Sequence, residues 1–366
     1  MESTRDIYRE LQPVFFASKF VGLAPYTRTF QLSQIDSFIT STLVLSTLVI
    51  TGIITTLRPG DETTFSLILE RGQVILLGLS AIVSLIGALL NADHLAGLAR
   101  NFLAIDNDLK SVNIFVSHSS RFGIIQFIVR TLILVPVIIL DALSASPIDL
   151  IKILKIYIRI MPQFVTFVVE VQFIVLVHAL KTRVLIMTKA VDALARKSYP
   201  HKPKKLMVMS TSHSTLVEMA STINNMFTLQ MLLIMFTIFL LATAHLYHLN
   251  VAITTLGGEM EYFASLTLVL KLGIRCYEVW TLTTTCVGVQ EVIKEFNSIL
   301  YQVLIEDETG TLAENKKLQL HISMKKEVVF TAYNFFPIDY TVVHSMISAA
   351  TTYLVILVQY GSVNSS

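Results

Sequence analysis

Three residues near the C-terminus could form the narrow part of an ion pathway. Ile356, Gln359 and Tyr360 fall at i, i+3 and i+4 of an apolar run, so they share one helical face. A polar amide beside two bulky side chains can form a gateable constriction where several copies of a helix meet. The alternative is that Gln359 lies at the membrane–water interface and Tyr360 is an aromatic anchor there.

A second group of polar and aromatic side chains could bind a small molecule. Its members lie within or at the ends of apolar runs, where polar groups are costly and often functional, and they are Asp141, Thr243, His245, His248, Tyr277 and Trp280. Rings that stack on C–H faces and groups that bond hydroxyls suit a small polar ligand such as a sugar. The same residues could instead be interfacial histidines and a core tryptophan.

Charged residues inside the apolar runs indicate an internal network. Lys271, Arg275 and Glu278 fall at i, i+4 and i+7 on one helical face, with Glu170 in another run as a candidate partner. We interpret them first as a charge network that lowers the cost of burial, and only second as ligand contacts. Arg130 and Asp141 lie too far apart along their own run to pair directly.

Catalytic and metal motifs do not occur in the sequence. There is no HExxH, GxSxG, phosphate-loop or paired-carboxylate motif, so an enzyme is not expected. Cys276 and Cys286 lack metal-binding spacing and are too far apart on one helix to reach each other. We expect no cofactor, no metal and no nucleic-acid partner.

The composition places these residues in a membrane. Hydrophobic residues make up 53% of the 366 residues and charged residues 15%, with a mean hydropathy of +0.66. A soluble domain carries about 25% charged residues, which excludes that class. A span needs about 20 mostly apolar residues, and seven runs meet this length, near 35–57, 72–92, 122–143, 153–180, 226–249, 262–289 and 338–360. Six spans are the alternative, since the third, fourth and sixth runs carry charges.

The loops predict the orientation of the chain. Lys and Arg are abundant in the N-terminal segment and in the 2–3, 4–5 and 6–7 loops, and absent from the 3–4 and 5–6 loops. The N-terminus, which shows no signal peptide, is therefore predicted inside and the C-terminus outside, opposite to a G-protein-coupled receptor. The predicted fold class is an all-α polytopic membrane protein with seven transmembrane helices.

Several helices are expected to continue past the membrane on the inner side. The fourth span runs on to Arg196, a break at Tyr199–Pro203 follows, and a run over 205–222 enters the fifth span. The sixth span continues to about Ile305, and an amphipathic run covers roughly Leu312–Tyr333.

The last span has its own start signals. Pro337 is expected to end the preceding helix and Asp339 to cap the last one. The predicted segments are a cytoplasmic N-terminal part at 1–34, spans one to four at 35–180, an anchor segment at 181–225, spans five and six at 226–289, anchor helices at 290–337 and a pore-lining span at 338–360.

The last span also carries a family signature. Thr352-Tyr353, five hydrophobic residues, then Gln359-Tyr360 resembles the Thr-Tyr…Gln-Phe signature of insect gustatory receptors, with Tyr360 in place of Phe. The stretch Phe335-Phe336-Pro337-Ile338-Asp339 and the Asn225-x-Phe227-x-x-Gln230 start of the fifth span are also similar to that family. Elsewhere the chain agrees with the family in topology more than in sequence.

The resemblance implies a plasma-membrane receptor of sensory neurons. It implies a homotetramer, or a heteromer with related receptors, that forms a non-selective cation channel in the lipid bilayer. The four last helices would line the pore with Ile356, Gln359 and Tyr360, and each subunit would hold its tastant in the outer half of its own bundle.

The ligand and the exact class stay open at this point. The Phe-Pro-Ile-Asp-Tyr…Thr-Thr-Tyr stretch is most similar to the fructose-receptor branch, so a sugar is the first candidate and a bitter compound the second. An odorant receptor subunit is the next alternative. A secondary transporter is disfavoured because internal repeats and broken mid-membrane helices are not seen.

Overall fold

The structure is a computed structural model that describes residues 2–23, 64–144, 150–195, 202–255, 259–306 and 328–364, with Thr42 and Ser46. Within these continuous ranges the chain forms eight helices, α1 Glu2–Val21, α2 Thr64–Leu90, α3 Ala92–Ser111, α4 Arg121–Ser144, α5 Leu150–Ala195, α6 Lys202–Thr255, α7 Glu259–Ile305 and α8 Tyr340–Asn364. Two short strands, β1 Thr331–Ala332 and β2 Phe336–Pro337, precede α8. The all-α fold class is therefore confirmed.

Three of the helices are much longer than a bilayer is thick. α5, α6 and α7 have 46, 54 and 47 residues, or about 69, 81 and 70 Å at 1.5 Å per residue. The hydrocarbon core measures about 30 Å, so each helix extends well beyond it. The predicted continuation of the fourth span past Lys181 and of the sixth to Ile305 is confirmed as helix. That these extensions form a cytoplasmic anchor stays a prediction.

α5 is the central helix of the bundle. It packs against α1, α2, α4, α6 and α7, and 78% of the residues in an 18-residue apolar part of Ile160–Leu194 are buried. On α4, by contrast, 22% of the residues in an 18-residue apolar part of Arg121–Leu140 are buried, and large apolar side chains such as Leu132 point outward. An outward apolar face of this kind fits contact with lipid.

Five helices of the described chain are long and apolar enough to cross a membrane. They carry the stretches Arg71–Leu90, Arg121–Leu140, Ile160–Leu194, Pro203–Ile253 and Tyr340–Gln359. The predicted sixth span, on α7, does not join them and carries Lys271, Arg275 and Glu278 in its apolar run. The predicted first span, 35–57, lies outside the described residues apart from Thr42 and Ser46.

The segment before α8 corrects one prediction. The helical run expected over 312–333 is wrong at its end, because residues 328–330 are not helical and β1 pairs antiparallel with β2. The rest of that run lies outside the described residues. Tyr333 and Asn334 adopt left-handed backbone angles with φ of 50° and 57°, which form the turn. Pro337 therefore ends no helix here but belongs to β2.

Two glycines allow close contact between helices. A Cβ on Gly87 of α2 would lie 2.1 Å from Nε2 of Gln230 on α6, and a Cβ on Gly288 of α7 would lie 2.3 Å from Nζ of Lys181 on α5. Gln230 is buried and donates to the Ser84 carbonyl, whereas Lys181 is half-buried. Only glycine lets these side chains cross the neighbouring helix so closely.

Candidate functional site

The last helix presents a polar stripe along an apolar span. Thr341, Ser345, Ser348, Thr352 and Gln359 follow each other in steps of four, three, four and seven residues, and all are exposed. This spacing keeps them on one side of the helix. Ser345 and Thr352 donate to backbone carbonyls four residues earlier, which satisfies their protons and leaves hydroxyl oxygens free to accept.

The bundle leaves α8 largely uncovered. Only 11% of the residues in an 18-residue apolar part of Tyr340–Gln359 are buried. Ile356 is 52% exposed and Gln359 is exposed, so both predicted pore residues face away from their own bundle. The backbone of Tyr360 continues the helix, while its side chain lies outside the described residues. A helix so exposed, with polar groups along it, requires partners beyond this bundle or a water-filled lumen.

The base of α8 is fixed by a hairpin that docks on α6. The side chain of Asn224 accepts from the Thr331 backbone N–H at 2.8 Å, and Thr228 Oγ1 accepts from that of Tyr333 at 2.7 Å. These bonds satisfy backbone groups at the edge of the two-stranded hairpin. Asp339 accepts from the Thr341 N–H at 2.8 Å, so the predicted N-terminal cap of α8 is confirmed.

Three of the predicted ligand residues lie together at the end of α6. Thr243 is buried and donates to the Phe239 carbonyl at 2.9 Å, while His245 and His248 are half-buried. The ring of His248 lies 5.6 Å from that of Tyr247, centroid to centroid. Asp141 lies on α4, and its side chain is outside the described residues.

Tyr277 belongs to a different cluster. Its hydroxyl donates to Gln126 Oε1 at 3.2 Å, and its ring lies 5.7 Å from the guanidinium of Arg130. Arg130 donates to Glu170 Oε1 at 2.6 Å and to Thr281 Oγ1 at 3.1 Å. These contacts join α4, α5 and α7 through a buried ion pair.

A second ion pair completes this internal network. Arg275 donates to Glu278 Oε2 at 2.6 Å on α7, and Glu278 interacts electrostatically with both Arg130 and Glu170. The four charges cancel, and each of these side chains is at most 7% exposed. Pairing and neutrality are what allow charges to exist at this depth. Of the network predicted on α7, the Arg275–Glu278 pair is present, while the direct contact of Glu170 is with Arg130.

Helical rise places the predicted ligand residues at two levels. The ring of Phe239 on α6 contacts that of Tyr353 on α8, and the ring of Trp280 on α7 lies 6.3 Å from that of Tyr340. Tyr340 and Tyr353 are thirteen residues apart on α8, and His245 is six residues beyond Phe239 on α6. At 1.5 Å per residue, His245 is therefore about 28 Å from Trp280 along the axis of α8. Tyr277 lies one turn from Trp280, so the structure does not bring either residue to the His245 level.

A further cluster, not foreseen from the sequence, centres on Arg183 of α5. The fully buried guanidinium bonds both oxygens of Asp106 at 2.9 and 2.8 Å and both oxygens of Glu10 at 3.5 and 3.2 Å. It also donates to the Ala179 carbonyl at 2.9 Å. His118 approaches Glu10 at 3.1 Å and Asp106 at 3.7 Å. We call these four ionisable side chains, Glu10, Asp106, His118 and Arg183, the Arg183 cluster; it ties α1, α3 and the loop before α4 to α5.

The charges around Glu10 shift its acidity. Burial raises the pKa of the Glu10 carboxyl, but the Arg183 charge and hydrogen bonds from His118 and Arg183 together outweigh burial and hold the pKa below its ordinary value. Glu10 is therefore ionised in the folded protein at neutral pH, which is the state that the guanidinium requires.

A resident metal ion is not indicated by the described ranges. No group of three or more His, Cys, Asp or Glu side chains is arranged there to hold one. Cys276 is exposed and Cys286 is buried, and both are free thiols. The chemistry available to the described residues is that of hydrogen bonding, charge pairing and aromatic contact.

Comparisons with known proteins agree on one kind of molecule. A family model described as 7tm chemosensory receptor matches residues 11–364. The gustatory and pheromone receptor 32a of Drosophila melanogaster is 52% identical over 44 residues, which are 12% of this chain and 10% of that protein. This match therefore spans about a tenth of that relative's length.

Solved structures show the same fold. The insect olfactory receptor OR5 from Machilis hrabei in complex with eugenol matches with a TM-score of 0.72 at 14% identity, over 97% of each chain. A second structure of that receptor matches with a TM-score of 0.71 at 15% identity, over 96% of this chain and 97% of that one.

Proposed function

Because the chain belongs to the 7tm chemosensory receptor family, which consists of receptors and not of enzymes, we propose that it is a gustatory receptor. In this proposal it forms a non-selective cation channel in the plasma membrane of sensory neurons and opens on binding a small tastant. A sugar such as fructose is the first candidate ligand. The relative in Drosophila melanogaster, named a gustatory and pheromone receptor, supports the gustatory branch.

The observation that carries the channel proposal is the exposure of α8. Its stripe of Thr341, Ser345, Ser348, Thr352 and Gln359 runs the length of the span but contacts little of its own bundle. Polar groups in a span usually face a bundle interior or a water-filled cavity. Four copies assembled around a central axis would supply that cavity, with Ile356, Gln359 and Tyr360 at its outer end.

The proposed tastant site lies at the end of α6. His245 and His248 are three residues apart and share one face of the helix, so their imidazoles can exchange hydrogen bonds with a sugar, whereas Thr243 lies on the side of α6 opposite His245. Asp141 is proposed as a further member. Tyr277 and Trp280 lie about a helix span away, so we leave them out of the tastant site.

The pore is tested by Gln359→Ala in cells that lack related receptors. We expect altered ion selectivity or gating with normal surface protein, because the variant removes an amide from the proposed constriction. Gln302→Ala is the matched control, since Gln302 is exposed on α7 and its amide donates to Glu306 on the same helix. Unchanged currents and selectivity in Gln359→Ala would show that Gln359 does not line the pore.

The ligand class is tested by calcium imaging with a panel of sugars and bitter compounds. A sugar response supports the first candidate, and a bitter response alone replaces it with the second. A need for a co-receptor would favour an odorant receptor subunit, for which the shared fold with OR5 is the supporting observation. Ligand uptake without current would favour a transporter. Silence across the panel with protein at the surface would count against the gustatory proposal.

A further inference from the structure

Four exposed aromatic side chains lie at the start of the last span. Trp280 on α7 is 59% exposed, Tyr333 and Phe335 on the hairpin turn are 53% and 74% exposed, and Tyr340 at the first position of α8 is 43% exposed. We call these four residues the aromatic band. Large aromatic side chains exposed to this degree are unusual on a protein surface in water.

The band lies at one level of the bundle. Trp280 and Tyr340 are in ring contact at 6.3 Å, and so are Tyr333 and Phe335. The hairpin turn is tied to Thr228 on α6, which is eleven residues before Phe239. Tyr353 is the ring partner of Phe239, and the position eleven residues before Tyr353 lies in the first turn of α8. The hairpin turn and Trp280 are therefore both level with the base of α8.

That level is one end of a membrane-spanning stretch. The apolar stretch of α8 begins at Tyr340. Trp and Tyr concentrate where the hydrocarbon meets the headgroups, because their rings are apolar and their N–H or O–H groups need polar partners. Within the described part of the chain, no hydrogen bond from the indole N–H of Trp280 is seen, which leaves this donor to the surroundings.

We propose that the aromatic band is a phospholipid-contact surface at the membrane interface where α8 begins, the cytoplasmic interface in the predicted orientation. Phospholipids would contact Trp280 and Tyr340 together, so lipid would bear directly on the first turn of α8. A second copy of this chain is the competing occupant. Phospholipid is favoured because the band lies at the boundary of the apolar span and three of its four rings, those of Trp280, Tyr333 and Tyr340, combine an apolar face with a polar N–H or O–H group.

The single tryptophan makes the test direct. The chain contains one Trp, so tryptophan emission from the full-length receptor in lipid nanodiscs reports on Trp280 alone. Nanodiscs are prepared with phosphatidylcholine brominated either near the glycerol backbone or near the chain ends. These labels are separated by up to about half the hydrocarbon thickness, or 15 Å, so we expect quenching by the shallow label to be at least about twofold stronger.

A tryptophan at a second position tests whether the brominated lipids reach the protein surface at all. In Trp280→Phe with Leu132→Trp, the new indole is on the outward face of α4, where Leu132 is 67% exposed in mid-span. It should be quenched more strongly by the deep label. If this control behaves so and Trp280 is quenched by neither lipid, another copy covers the band and the proposal fails.

Two other outcomes also overturn the proposal. Stronger quenching of Trp280 by the deep label would place the indole in the hydrocarbon and not at the interface. If a tastant quenches the emission of Trp280 and also prevents quenching by both brominated lipids, Trp280 lies in a ligand pocket. Neither result bears on whether Gln359 lines a pore, so the lipid and channel proposals can fail separately.

Discussion

Replacing Arg183 with methionine should destabilise the protein more than any single loss of a surface charge. Methionine has similar length but no donors, so buried Glu10 and partly buried Asp106 would face each other without the guanidinium. Removing one partner of a buried ion pair costs about 3–5 kcal/mol, because it leaves an uncompensated charge. Two carboxylates lose the guanidinium here and keep only the His118 imidazole of the cluster beside them, so that range applies.

The cost converts to a shift in melting temperature. At about 2.1 cal/mol/K per residue, 366 residues give an unfolding entropy of about 0.8 kcal/mol/K. A loss of about 3–5 kcal/mol then lowers the melting temperature by about 4–7 °C. The assay is fluorescence-detected thermal unfolding of purified receptor in detergent at one fixed scan rate, since such melts are rate-dependent.

Two variants make the measurement decisive. Arg100→Met is the matched control, because Arg100 is exposed on α3 and its Nε bonds only the Ala96 carbonyl at 3.4 Å. Arg183→Met combined with Glu10→Gln and Asp106→Asn removes the stranded charges and should recover at least part of the loss. If Arg183→Met melts within about 1 °C of wild type, the range of a surface substitution, the Arg183 cluster does not stabilise the fold.

Two more predictions concern the same bundle. The pKa of Glu10 lies below its ordinary value of 4.5, so the ionised carboxylate stabilises the fold fully above pH 4.5, and this stabilisation is lost as the pH falls below that value. Glu10→Gln should therefore lower the melting temperature at neutral pH and make the melting temperature fall less steeply in acid. An unchanged dependence of the melting temperature on acid pH would contradict this. Gly87→Ala should lower the melting temperature by the equivalent of about 1–3 kcal/mol, because buried Gln230 must move, whereas Gly288→Ala should be nearly neutral because half-buried Lys181 can swing aside. Equal melting of the two alanine variants would refute that contrast.

Features that depend on spacing along one helix could be predicted from the sequence. Arg275 and Glu278 are three residues apart, so their pairing follows from helical geometry. Asp339 before an apolar run indicates a cap because the signal is local. The helix past Lys181 was predicted by apolar periodicity, which reports burial on one face.

Features that depend on how helices are placed against each other could not. The sequence makes Glu170 a candidate partner of the α7 charges, but only the packing of α4 on α5 shows that Arg130 reaches it. From the sequence, Arg183 belongs to the positively charged 4–5 loop. In the structure it is buried and bonded to Glu10 and Asp106, which are distant in the chain. The presence of charges with opposite sign in apolar stretches was the available signal, but it does not choose partners.

The hairpin shows a different limit of sequence reasoning. Its residues fit a helical pattern up to Tyr333, yet Asn224 and Thr228 offer side-chain bonds that an extended backbone can use. Tertiary contacts therefore override local periodicity. The depth of Trp280 likewise depends on how α7 is aligned lengthwise against α8. The periodicity of residues within α7 carries no information about that alignment.

The Arg130–Glu170 pair has a consequence for synthesis of the chain. The two residues are 40 positions apart, so at 5–20 residues per second Glu170 emerges about 2–8 s after Arg130. During that interval α4 carries a lone cation that disfavours its entry into the bilayer by about 2.5–3.5 kcal/mol. α4 and α5 are therefore expected to enter lipid as one hairpin, and the insertion machinery must hold the first helix until the second arrives. A variant at either position would then act as a defect of biogenesis, before any receptor exists to be gated.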